Sequence, residues 1–141
     1  METSEGNGGR PKTVLVVDDY DEVREMTKHA LELSGYTVVE ASGGEEALEL
    51  ARRVLPDLIL MDLSMPGLDG FTAIHRLRRL IGLRDVPIIV FSAHTAQEIR
   101  ADVLAAGCRD FIPKPVDLKR LVAVVRRHIE GSAEWSEPTN F

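Results

Sequence analysis

Cysteine is almost missing from this chain: of its 141 residues a single one, Cys108, carries a thiol. An internal disulfide is excluded, and there is no second thiol to complete the paired spacing of a zinc site. A reducing cytoplasm is the expected setting. A basic excess is missing too, since 17 Lys and Arg face 23 Asp and Glu for a net charge of -6. A protein that grips nucleic acid regardless of sequence would carry the opposite balance, so no direct nucleic-acid partner is expected. Nor does any apolar run approach the length of a membrane span, and the opening METSEGNGGRPK lacks the apolar core of a signal peptide, so no membrane partner is expected either.

What is present suits one globular domain, with 44% hydrophobic and 28% charged residues. The densest basic clusters, Arg76, Arg78 and Arg79 and then Arg126 and Arg127, sit among apolar residues at helical spacing and read as solvated helix faces. Residues 1–11 read as a disordered leader, 12–130 as the domain, and 131–141 as a polar tail whose Trp135 and Phe141 could dock on the domain or on a neighbour.

Strand-length apolar runs recur at 13–17 (TVLVV), 37–41 (TVVEA), 58–61 (LILM), 87–92 (PIIVFS) and 110–112 (DFI). Several lack alternation, as strands covered on both faces do. Helical patterns lie between and after them. Val23, Met26, Ala30, Leu31 and Leu33 recur at helix spacing, with Gly35 as the stop; the next segment places Ala47, Leu48 and Ala51 on one side and ends before Pro56. A third helix is expected over 71–81 with Ile74, Leu77 and Leu80 or Ile81 inward. A fourth carries Ile99, Val103 and Leu104 and stops at Gly107, and a fifth runs from Asp117 with Leu118, Leu121, Val122, Val125 and Ile129. Strand then helix, five times over with short loops, is the grammar of an open parallel sheet with helices on both faces.

Ligands of such sheets bind beyond the carboxyl ends of the strands. The residues found there are Asp18 and Asp19, Asp62, Ser92 and Lys114. Three carboxylates at neighbouring strand ends resist joint ionisation unless a cation sits among them, and Mg2+ is the hard, oxygen-seeking choice where no His or Cys ends a strand. The plainer reading of Asp19 is a helix cap. Lys114 stands between two prolines in IPKPVD, and the Lys114–Pro115 bond is a candidate for the cis form. An aspartate beside a divalent cation, a lysine and a hydroxyl is an arrangement for accepting a phosphoryl group. The SGGEEA stretch at 42–47 lacks the Lys-Ser/Thr ending of a phosphate loop and reads as a helix start. Cys108 reads as a buried, inert thiol.

The motifs VVDD, PDLILMDLSMPGLDG, IIVFSA and AAGCRDFIPKP, in that order, resemble the receiver domain of two-component response regulators, the CheY-like family, over about residues 12–130. That resemblance implies a (βα)5 doubly wound α/β fold with a five-stranded parallel sheet in the order 2-1-3-4-5. It implies Asp62 as phosphoacceptor, Asp19 as direct Mg2+ ligand with Asp18 as its partner, and the Ser64 backbone carbonyl as a further ligand. Ser92 and Lys114 would bind phosphoryl oxygens, Ser92 and Phe111 would act in the switch, and Ser64 and His94 occupy positions that tune phosphoryl lifetime. Pro66 and Gly67 would shape the loop after the acceptor, and Gly70 would open the third helix. Position 111 carries Phe where many members have Tyr, which removes a hydroxyl-based switch bond.

The implied partners are a sensor histidine kinase or histidine phosphotransfer protein and an unnamed downstream protein, with a phosphorylation-dependent dimer through helix four, strand five and helix five as one arrangement open to it. The function expected is a phosphorylation-controlled switch that acts on no substrate but itself. The alternatives are a phosphoryl relay or sink without its own output, a degenerate receiver used only for binding, and, from a different class, a phosphohydrolase of the haloacid-dehalogenase type. The last usually carries an Asp two residues beyond its nucleophile, where this chain has Ser64.

Overall fold

The computed structural model describes residues 11–63, 70–93 and 96–130, without the side chains of 96–99. Strands and helices alternate: β1 (Thr13–Val17), α1 (Asp21–Leu33), β2 (Thr37–Ala41), α2 (Gly44–Val54), β3 (Leu58–Asp62), α3 (Gly70–Arg78), β4 (Ile88–Ser92), α4 (Ala96–Ala105), β5 (Asp110–Pro113) and α5 (Leu118–Glu130). The strands form one sheet in the order β2-β1-β3-β4-β5, and every neighbouring pair is parallel. This is the (βα)5 fold expected from the sequence.

Alternation along β3 explains its unbroken apolar run. Leu58 and Leu60 face α1 and α5, packing with Leu31, Leu121, Val124 and Val125. Ile59 and Met61 face the other way, into a core with Ala47 and Ala51 of α2, Ile74 and Leu77 of α3 and Val103 of α4. Successive side chains of a strand point to opposite faces, so a strand covered twice must be apolar throughout. All four of these β3 side chains are fully buried, and each contributes about 1.5–3 kcal/mol on folding. The stiff central strand therefore fixes where its last residue, Asp62, emerges.

Helix boundaries follow local chemistry. The turn after α1 has Gly35 at φ +99°, a left-handed conformation that suits glycine. Asp117 caps α5 by accepting hydrogen bonds from the Lys119 and Arg120 amides at 3.0 and 3.3 Å. The third helix is shorter than the 71–81 expected. After Arg78 the chain tightens into Arg79 N–H to Arg76 O and Leu80 N–H to Leu77 O bonds, both 3.1 Å, and the Arg78 guanidinium takes up the Leu83 and Val86 carbonyls of the following loop. Ile81 is consequently 96% exposed, while Leu80 packs against the core.

Of the other apolar residues at helical spacing, Met26, Leu33 and Leu104 are exposed, and on α1 Leu31 is buried together with Thr27, which the apolar pattern did not include. The leader through residue 10 and the tail from 131, with Trp135 and Phe141, lie outside the described residues. Ser64, Pro66, Gly67 and His94 lie outside them as well, as does the side chain of Ile99.

Candidate functional site

The carboxyl ends of β1 and β3 lie side by side because these strands pair in register, Val17 opposite Met61. Asp18 follows β1 directly, and Asp62 closes β3. Carboxylate oxygens of Asp18, Asp19 and Asp62 all fall within 4.8 Å of one another. Asp18 and Asp62 are buried, at 0% and 1% exposure, and Asp19 is partly exposed. The approach of α3 is equally tight. Gly70 opens that helix where a Cβ would stand 2.8 Å from the Leu63 backbone and 3.1 Å from the Asp62 carbonyl.

Asp18 is fastened at several points. Its amide donates to the Ala41 carbonyl at 3.1 Å, and its Oδ1 accepts the Tyr20 amide at 2.9 Å. Its carbonyl accepts Arg24 Nη1 at 2.8 Å. Its Oδ2 is buried without a hydrogen-bond partner. Burial pushes the Asp18 carboxyl up to about 6, with the neighbouring charge of Asp62 adding to the rise and the Tyr20 amide opposing it.

Lys114 supplies the positive charge. Its Nζ donates to Asp62 Oδ2 at 3.0 Å, and it lies 5.9 Å from the Tyr20 ring centroid and 5.6 Å from that of Phe91. Its amide donates to the Ser92 carbonyl at 2.9 Å, tying the end of β5 to the end of β4. The Lys114–Pro115 bond is cis. Ser92 is fully buried at the end of β4, and Phe111, 1% exposed, pairs with Val90 inside β5. The structure thus brings Asp18, Asp19, Asp62 and Lys114 together, with Ser92 on the adjoining strand end.

The donor set fits a small hard cation. Three carboxylates converge, one buried oxygen lacks a partner, and a single lysine leaves the cluster with a negative excess. Among the described residues the cluster holds carboxylates and no His or Cys, a donor set that suits a hard cation over softer metals.

Two groups that sequence reading passed over also stand out. Arg24 was passed over: Asp21 is an ordinary i,i+3 helix partner, and the Asp18 carbonyl and Glu40 reach it only through the fold. Asp110 read simply as the first residue of a strand. It is 1% exposed at the opposite end of the sheet, where its Oδ2 accepts Arg127 Nη2 at 2.9 Å and lies 3.1 Å from His128 Nε2, while Oδ1 accepts the Phe111 amide at 2.8 Å. Burial alone would raise the Asp110 carboxyl; the bonds from His128, Phe111 and Arg127 more than offset this and hold it below the usual range. Burial pushes the Cys108 thiol up to about 12, in keeping with an inert core residue.

A 2-1-3-4-5 parallel sheet with its acidic cluster at the carboxyl edge has the architecture of the CheY-like, flavodoxin-type fold. The family model for the response regulator receiver domain matches residues 14–126, and the chain belongs to that family. It is 40% identical over 113 residues to the response regulator MprA of Mycobacterium leprae, covering 80% of this chain and 49% of that protein. It is 38% identical over 127 residues to the phosphate regulon transcriptional regulatory protein PhoB of Pseudomonas aeruginosa, covering 87% of this chain and 56% of that one. The chain thus spans about half the length of these two relatives.

Among solved structures, the receiver domain of the sensor histidine kinase PA1611 from Pseudomonas aeruginosa, with a magnesium ion coordinated in its active-site cleft, superposes with a TM-score of 0.78 at 33% identity, covering 87% of this chain and 100% of that one. Receiver domains are signalling switches of two-component systems, generally not enzymes, and bind Mg2+ in their acidic site. Membership leaves the haloacid-dehalogenase alternative without support. Among the described residues no helix is long and apolar enough to cross a membrane.

Proposed function

We propose that the chain is a phosphorylation-controlled switch whose domain occupies residues 12–130, with Asp62 as the acceptor. The observation that carries this reading is the contact of Lys114 Nζ with Asp62 Oδ2 at 3.0 Å, beside the unpartnered Oδ2 of Asp18. One Asp62 oxygen attacks the phosphorus of a phosphohistidine on a sensor kinase or phosphotransfer protein. The P–O bond forms as the P–N bond breaks, and the imidazole leaves with the electron pair and takes up a proton. Asp19, Asp18, Asp62 and the Ser64 carbonyl would hold Mg2+, which would supply positive charge against the phosphoryl oxygens. Lys114 and the Ser92 hydroxyl meet the remaining oxygens, so positioning and electrostatics provide most of the acceleration in a loose transition state. Water later hydrolyses the acyl phosphate, with His94 gating its access and Ser64 tuning the lifetime.

The new dianion then biases two packings of Ser92, Phe111 and the surface of α4, β5 and α5, which meets the downstream protein or a second copy in the cytoplasm. Shifting such an equilibrium from 1:99 to 99:1 takes about 5.5 kcal/mol of differential stabilisation. A recess of about 290 Å³ beside the site, lined by Tyr20, Val23, Met26, Lys114, Val116 and Leu118 among others, supports approach of the phosphodonor from the side of α1 and the β5–α5 loop.

The test is exposure to acetyl phosphate with Mg2+, read by intact-protein mass. Wild type should gain one phosphoryl group and Asp62→Asn none. Equal labelling of both, or of neither, would sink the reading.

A further inference from the structure

Arg24 approaches the acidic cluster from behind. Its side chain is 14% exposed and reaches three acceptors on three segments: Nη1 to the Asp18 carbonyl at 2.8 Å, Nε to Glu40 Oε1 on β2 at 3.1 Å, and Nη2 to Asp21 Oδ1 at 2.7 Å. Lys28 Nζ holds the other Glu40 oxygen at 3.2 Å, so the anchor on β2 is itself braced. A planar guanidinium with its forked donors suits this task, where an ammonium would serve one acceptor at a time.

The bond to the Asp18 carbonyl matters because that oxygen belongs to the peptide plane joining Asp18 to Asp19. The six atoms of a peptide unit move together, so fixing the carbonyl fixes the direction in which Asp19 leaves the strand. With the Asp18 amide held by Ala41 and Oδ1 by Tyr20, the clamp completes a set of restraints that leaves Asp18 Oδ2 as the unused atom.

We propose that Arg24 is a positioning residue for the divalent cation: it orients the Asp18–Asp19 peptide so that both carboxylates meet the ion, and it does so as a clamp and not through its charge. This rests on the proposed cation-dependent function and adds a residue to it. Clamp and charge make opposite forecasts. A fixed positive charge behind three carboxylates relieves their repulsion and competes with an incoming cation, so its loss through charge alone would tighten Mg2+ binding. Loss of the clamp would weaken it.

Mg2+ titration of the full chain, followed by the amide chemical shifts of residues 16–20 and 62–63, separates these. Arg24→Gln and Arg24→Lys should each lose about tenfold in Mg2+ affinity, the size of effect seen when a group supporting a metal ligand is removed. Glu40→Gln, which leaves the Asp18 carbonyl bond in place, should lose less, about two- to threefold on the same scale. The same spectra report whether each variant is folded, and the lysine variant keeps the charge should the glutamine variant fail to fold. Thermal melts in EDTA give the purely structural cost. Unchanged or tighter Mg2+ binding by folded Arg24→Gln, or wild-type affinity in Arg24→Lys, would overturn the clamp while leaving the switch reading intact. Wild-type amides indifferent to Mg2+ would overturn both.

Discussion

Two aspartates buried at opposite ends of one sheet meet opposite fates. Asp110, at the start of β5, is 1% exposed and has each carboxylate oxygen engaged, one by the Phe111 amide and one by Arg127 and His128. Asp18, beyond the end of β1, is 0% exposed with one oxygen unpartnered and other carboxylates within 4.8 Å. A buried charge that is paired and hydrogen-bonded serves the fold; one left short of partners costs stability and is poised to take a ligand. Burial of a carboxylate therefore does not mark a functional site. The deficit in its compensation does.

The comparison can be broken in several ways, in descending order of expected effect. Asp110→Ala removes the acceptor from Arg127 and His128 and should cost about 3–5 kcal/mol in urea unfolding. Labelling by acetyl phosphate under native conditions should persist in that variant. If the cost were below about 1 kcal/mol, the exposed-pair range, Asp110 would not be the compensated charge described.

Gly70→Ala comes next. Its Cβ would press on the Leu63 backbone beside Asp62, a contact that no rotamer change relieves, so a loss of about 1–3 kcal/mol and slower phosphorylation are expected together. Stability and labelling rate matching wild type would show that the approach of α3 can relax freely.

The smallest effect is the most diagnostic because its sign is unusual. Asp18 has its carboxyl raised to about 6, so between about pH 4, the ordinary carboxylate range, and that value the native state keeps a proton that the unfolded chain has released. Stability in EDTA then falls as pH rises through this window. Asp18→Asn lacks the effect and should gain on wild type by on the order of 1 kcal/mol from pH 4 to 6, levelling off above. Asp110, held below the usual range, behaves in the reverse sense: its contribution is present above about pH 4 and is lost as pH falls further. Parallel pH curves for wild type and Asp18→Asn would remove the distinction between the two aspartates.

Much of this was legible in the primary structure because it depends on short-range periodicity. The LILM run predicts a strand covered twice, and the residues that end such strands are where a parallel sheet presents its chemistry. Asp18, Asp19, Asp62 and Lys114 emerged that way, and the fold brings them together. Helix phase was less readable. Met26, Leu33 and Leu104 are apolar yet exposed, and of the two buried positions on α1 helical spacing picked out Leu31 but not Thr27, whose side chain is polar. The Arg24 clamp and the Asp110 network were not legible, since the bond to the Asp18 carbonyl crosses from helix to strand end and Glu40, Arg127 and His128 lie 16 to 18 residues from their partners on separate elements. Neither alternation nor spacing encodes such contacts.

The bond between Lys114 and Asp62 spans 52 residues, and the strand that carries Lys114 joins the sheet at its edge as the last of the five. On the proposed reading, a chain that ends before residue 114 carries the aspartates of β1 and β3 without the lysine that pairs with Asp62, so the full charge set of the site requires β5 docked beside β4.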